Sequence, residues 1–188
     1  MLLPTCFRLT ERIIHLPLAF LSVPVQQAEK IPPSCVLIDV YLSLAFRAES
    51  GEAVAYKVDG ERFEGGSRTL KFATNTRYKI TLTSKPPIEF HHMHLAGSDL
   101  QLHTDDPKSG QYSTEWNTTG IDVCKKGARN NIGLTLQGPG GLLKRQLQSK
   151  FYQKDDSHAD WGTKLEFIQW TCAVDGTGTI SVTEELIR

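Results

Sequence analysis

VLIDVYLSLAFR, residues 36–47, alternates two chemistries: Val36, Ile38, Val40, Leu42, Leu44 and Phe46 fall on one side of an extended chain, and Leu37, Asp39, Tyr41, Ser43, Ala45 and Arg47 on the other. Successive side chains of a β-strand point to opposite faces, so the run reads as a strand with one wholly apolar face and one mixed face. An apolar face of that length has to be covered by a second layer.

The same period continues outward from this stretch. AESGEA at 48–53 makes a turn, and YKVDGERF follows at 56–63. Asp59-Gly60 is the dipeptide favoured by a two-residue type I′ turn, whose two central residues need positive φ. Tyr56, Asp59, Gly60 and Phe63 are therefore expected to form a structural hairpin that sets register, and not an active site. Leu70 with Phe72, then Tyr78, Ile80 and Leu82, read as inward positions of two further strands. Lys85-Pro86-Pro87 ends the second of these. IEFHHMHL and LQLHT, joined at Gly97-Ser98-Asp99, make another hairpin. QYSTEW, NIGLTL, RQLQSKFYQ and LEFIQWTCAV repeat the pattern, and TISVTEELI is a closing strand or a short terminal helix. No amphipathic helix is evident. About nine or ten short strands at this spacing predict an all-β domain over residues 36–188, an antiparallel β-sandwich or flattened barrel.

Composition narrows the function classes. The chain has 188 residues, 39% hydrophobic and 22% charged, enough for one ordinary core. Its 21 basic and 21 acidic residues give a formal charge of zero, so no global field draws it onto nucleic acid or an anionic membrane. Cys6, Cys35, Cys124 and Cys172 are widely spaced with no CxxC pair, which argues against a zinc knuckle, a redox dithiol or a disulfide scaffold and for reduced thiols in the cytosol.

Residues 1–35 differ in character. The apolar stretch at 13–25 is interrupted by His15, Pro17 and Pro24 and is shorter than the roughly 20 residues a transmembrane helix needs. Glu11 and the lack of an A-x-A site make it an imperfect signal or transit peptide. Three readings stay open: a disordered or loosely packed extension, a targeting segment, or sequence upstream of the true start.

Motifs for chemistry are scarce. His91, His92 and His94, with His103 beyond, are the best metal candidates, but only His92 and His94 share a strand face, and no cysteine stands near to complete a shell. No metal or other cofactor is expected. His158 lies between Asp156 and Asp160 without an identified nucleophile, and a solvated loop is the plainer reading. Gly138-Pro139-Gly140-Gly141 lacks the order of a phosphate cradle. Lys125, Lys126 and Arg129 form a short basic segment suited to an acidic peptide or a phosphate, or simply to solvent. Asn117-Thr118-Thr119 fits a glycosylation sequon, which matters only in a secreted chain. Phe151, Tyr152, Trp161 and Trp170 belong either to the core or to the wall of a binding cavity.

YKVDGERF, RTLKF, RYK with Lys85-Pro86 after it, WNTTGIDVCKKGAR, and KFYQKDDSHADWG followed by FIQWTC resemble, in order and spacing, the cannabinoid receptor-interacting protein family, over about residues 36–185. The most specific pieces are Tyr56-Lys57-Val58-Asp59-Gly60 with Arg62-Phe63, and Lys150-Phe151-Tyr152 with His158, Trp161-Gly162 and Cys172. Substitution elsewhere marks a divergent member. Two departures are plain: the chain ends Glu185-Leu186-Ile187-Arg188 where a PDZ-docking hydrophobic end would be expected, and residues 1–35 have no counterpart.

The resemblance implies a non-catalytic cytoplasmic adaptor, at the inner face of the plasma membrane only through its partner. Such an adaptor is expected to bind the cytoplasmic C-terminal tail of a type 1 cannabinoid receptor or another G protein-coupled receptor and to modulate its signalling. The implied fold is similar to the sandwich of Rho GDP-dissociation inhibitors. That likeness raises an alternative, a carrier that takes a lipidated peptide or acyl chain between apolar inner faces such as Leu42, Leu44 and Phe46. For the receptor reading, Lys150, Phe151, Tyr152 and Trp161 are the expected partner-binding residues, because aromatics and a cation in one patch suit peptide capture.

Overall fold

A computed structural model describes residues 38–58, 68–138, 141–174 and 180–188, all within one compact unit, Cys35–Arg188. Among them are twelve strands. In chain order these are β1 (Ile38–Ala48), β2 (Ala55–Val58), β3 (Arg68–Ala73), β4 (Arg77–Lys85), β5 (His92–Leu95) and β6 (Ser98–Leu100). Then come β7 (Gln111–Asn117), β8 (Asn130–Gly138), β9 (Gly141–Tyr152), β10 (Thr163–Lys164), β11 (Ile168–Val174) and β12 (Ile180–Ile187). Single 3₁₀ turns at Pro107–Ser109 and Ser157–Ala159 are the helical elements among the described residues. The C-terminal segment is a strand.

The strands form two sheets: five strands ordered β12-β11-β1-β4-β7, and seven ordered β10-β2-β3-β9-β8-β5-β6. They pack face to face as a sandwich, and the flattened-barrel option is set aside because the two sheets remain separate. The alternation read in residues 36–47 places β1 at the centre of the first sheet, with Val40, Leu42, Leu44 and Phe46 buried. Leu44 stands opposite Ile168 on one side and Leu82 on the other, so three strands present one apolar surface. Tyr112, Thr114 and Trp116 continue it on β7.

The second sheet departs from a purely antiparallel plan at one place. β3 pairs antiparallel with β2 but parallel with β9, in the register Leu70↔Ser149, Lys71↔Lys150, Phe72↔Phe151 and Ala73↔Tyr152. Parallel pairing needs a long crossover, supplied here by the intervening chain that builds five other strands, β4 to β8; a period-two pattern carries no sign of direction. Between β3 and β4 the chain changes sheets. Thr118, fully buried, holds that corner: its hydroxyl donates toward the carbonyls of Ala73 (2.8 Å) and Thr76 (3.0 Å) and accepts from the Thr76 amide (3.0 Å).

Two turns bear on the sequence reading. Val58 pairs with Arg68; Asp59, Gly60 and Phe63 of the expected hairpin lie outside the described residues, as do residues 1–35. The β5–β6 turn sits at Ala96-Gly97 instead of Gly97-Ser98-Asp99, with Leu95 opposite Ser98. Ala96 (φ 50°) and Gly97 (φ 86°) both take positive φ, as a type I′ turn requires.

Aromatic rings fill the space between the sheets. Phe72 meets Phe46, Tyr78 and Trp116 of the opposite sheet edge-on, with centroids 5.5, 5.2 and 5.1 Å away, and stacks on Phe151 of its own sheet at 5.7 Å. Such pairs each add about 0.5–1.5 kcal/mol beyond area burial. Leu42, Leu44 and Phe46, the walls proposed for an acyl chain, are themselves fully buried in this core. A lipid chain would have to displace those rings, and the carrier reading therefore finds no support.

A basic and aromatic cleft as the candidate functional site

The site begins with the alternation at the end of β9. Lys150 and Tyr152 face outward, while Phe151 between them is 1% exposed and joins the core, so of the four expected binding residues Phe151 is removed from the surface. The reason is the strand period: Phe151 is the register partner of Phe72 and shares its inward face. On the outer face the same register sets Lys71 beside Lys150. Both ammonium groups approach the Tyr152 ring, Lys71 at 5.4 Å and Lys150 at 4.9 Å from its centroid.

The fourth expected residue arrives from the segment after β9. Asp156 caps the 3₁₀ turn Ser157–Ala159, accepting from the His158 amide at 2.9 Å and pairing with His158 Nδ1 at 2.6 Å. These hydrogen bonds, the backbone one first, hold the Asp156 carboxyl below the usual carboxylate range. The His158 ring lies 4.3 Å from that of Trp161, which is 59% exposed. Lys71 ties this segment to the sheet: its Nζ donates to the carbonyls of His158 (2.9 Å) and Trp161 (2.5 Å). Gly162 then turns the chain into β10 at φ +131°, where an added Cβ would collide with the Tyr56 carbonyl.

Together these elements enclose a cleft of about 430 Å³. Lys57, Lys71, Arg129, Lys150, Tyr152 and Trp161 line it. Arg129, from the basic segment noted in the sequence, is the one member of that segment to reach it, and its Nε donates to the Thr69 hydroxyl at 3.2 Å. Partial burial, then the fields of Lys57, Lys150 and Arg129, push the Lys71 ammonium below its ordinary pKa, with Asp156 opposing. Lys57 entered the sequence reading only as part of the Tyr56–Gly60 motif, and neither it nor Lys71 was expected at the site. Their selection depends on β3 pairing with β9 and β2 with β3, which no local pattern reveals.

Other candidates resolve differently. His92 Nε2 and His94 Nδ1 both meet Asp99 Oδ1 across the β5–β6 hairpin, at 3.0 and 2.8 Å, and these bonds, His94's first, lower the Asp99 carboxyl pKa. Among the described residues no group of three or more His, Cys, Asp or Glu side chains is arranged to hold a metal ion. His158 serves as partner to Asp156 and wall to Trp161. Trp170 is core, its Nε1 donating to Glu185 at 2.6 Å while Arg145 reaches the same carboxylate at 2.7 Å. Cys172 is wholly buried and its thiol is pushed up to about 11, chiefly by desolvation. No helix among the described residues is long and apolar enough to cross a membrane.

Comparison with known proteins gives a consistent result. The family model described as CB1 cannabinoid receptor-interacting protein 1 matches residues 36–187. Proteins of that name from Bos taurus, Homo sapiens and Rattus norvegicus are each 31% identical to this chain over 150 residues, spanning 75% of it and 90% of the relative. The match takes in both sheets and every residue that lines the cleft. The chain belongs to the CB1 cannabinoid receptor-interacting protein 1 family.

Proposed function

We propose that the protein is a non-catalytic cytoplasmic adaptor whose cleft captures the C-terminal tail of a G protein-coupled receptor of the cannabinoid type and modulates its signalling. Family membership supports the partner. The observation that carries the choice of site is Trp161, a large exposed ring that lies against His158, on a backbone that Lys71 holds to the sheet, in a cleft lined by cations, since binding hot spots concentrate in such pre-organised aromatic and basic patches. The receptor would bring the adaptor to the inner face of the plasma membrane.

The assay uses a built-in probe. Of the three tryptophans, Trp116 and Trp170 are fully buried, so solvent quenching of fluorescence reports on Trp161. A peptide covering the receptor tail should protect Trp161 from acrylamide, and Trp161→Ala should weaken binding by about thirtyfold, the 2 kcal/mol typical of a hot spot, with little change in melting temperature. Unchanged affinity in both Trp161→Ala and Lys150→Gln would remove the cleft from consideration.

A further inference from the structure

Resting on that reading, we propose that the cleft recognises a phosphorylated serine or threonine in the receptor segment, so that docking is switched by phosphorylation. The argument starts from charge placed where folding alone would not place it. Lys71 and Lys150 are adjacent across parallel strands, and Lys57 lies beside them on β2; like charges in that arrangement repel. Among the described residues no carboxylate forms an ion pair with any of the three, and Asp156, whose field acts on Lys71, is already paired with His158. In a chain whose formal charge is zero, this concentration is a local feature and not a by-product of overall basicity.

The geometry selects the class of anion. Lys71 spends two of its N–H bonds on the carbonyls of His158 and Trp161. An ammonium has three donors, so one remains for a ligand. A carboxylate brings one negative charge to three lysines, whereas a phosphoryl group brings about 1.5–2 and three strong acceptor oxygens on a single residue. A volume of about 430 Å³ accommodates one such residue, and the Trp161 ring forms a wall for the side chain next to it. A phosphorylated lipid headgroup offers the same oxygens, but a zero net charge gives no long-range attraction to an anionic surface, which favours a peptide.

The test titrates the full chain with the tail peptide in unphosphorylated and phosphorylated forms, followed by Trp161 fluorescence. Phosphorylation is expected to tighten binding by about tenfold or more, as one added charge-assisted hydrogen bond would. Lys150→Gln and Lys57→Gln should lower the affinity for the phosphorylated peptide more than for the unphosphorylated one, and so erase the preference. Inorganic phosphate, followed by amide and indole NMR shifts, should perturb Lys57, Lys71 and Trp161 in the wild type and not in Lys150→Gln. Equal affinity for the two peptide forms overturns the inference and leaves tail binding standing. Phosphate and a phosphoserine peptide of unrelated sequence binding in the cleft, with the tail bound in neither form, would uphold the anion site and overturn the receptor reading. Binding to vesicles carrying phosphoinositide, with no response to phosphopeptide, also overturns the inference.

Discussion

Replacing Phe151 by alanine removes a ring that is 1% exposed, stacked on Phe72 at 5.7 Å and edge-on to Trp116 at 6.3 Å. Deleting a buried Phe side chain costs about 3–5 kcal/mol, of which the two ring contacts account for roughly 1–3. The void opens at the meeting point of both sheets, where β-strands have little freedom to collapse, so a value of about 4 kcal/mol is expected. For a domain of this size that lowers the melting temperature by roughly 8–16 °C. Urea denaturation of wild type and Phe151→Ala, fitted with a common m-value, measures the loss directly. Below the melting transition the variant should still bind the tail peptide, because the ring faces away from Lys150 and Tyr152. Tyr152→Ala should reverse the pattern, losing binding with a stability change of about 1 kcal/mol. A loss below about 1 kcal/mol for Phe151→Ala, or a loss of binding in the folded variant, would refute the assignment of position 151 to the core.

Three further outcomes are expected. Lys71→Met keeps the length of the side chain but removes the donors to the His158 and Trp161 carbonyls, so amide exchange across 158–162 should rise several-fold while the strands stay protected. Gly162→Ala forces a Cβ against the Tyr56 carbonyl at positive φ and should cost about 1–3 kcal/mol in chemical denaturation, with the β2–β10 pairing affected first. Cys172 should resist alkylation in the native state and react once unfolded; because its folded pKa of about 11 lies above the ordinary thiol value, its contribution to stability is complete below the ordinary value and is lost as pH rises toward 11, which melting curves of wild type and Cys172→Ala across alkaline pH would show.

Legibility differed by range. The alternation of Val40, Leu42, Leu44 and Phe46, and of Tyr78, Ile80 and Leu82, was visible because a strand sorts adjacent side chains to opposite faces, and burial follows that sorting. The same rule, applied strictly to Lys150-Phe151-Tyr152, separates Phe151 from its neighbours; grouping the three as one patch overlooked it. The Ala96-Gly97 turn was displaced because alanine at positive φ leaves no local signature. Trp161 was identified from a motif, but nothing near it in sequence indicates that a lysine from β3 holds its carbonyl.

The sequence by itself determined the all-β class, the inward face of most strands, the family, and four members of the cleft, Arg129, Lys150, Tyr152 and Trp161. Those properties live in neighbouring residues, where period-two burial, turn chemistry and motif spacing act. Only the tertiary structure decided that β3 runs parallel to β9, that Lys57 and Lys71 come to stand beside Lys150, and that the interior is closed by aromatic rings instead of open to a lipid. Strand order and direction are settled by how whole apolar faces are covered at once, a balance of packing that no single stretch of chain contains.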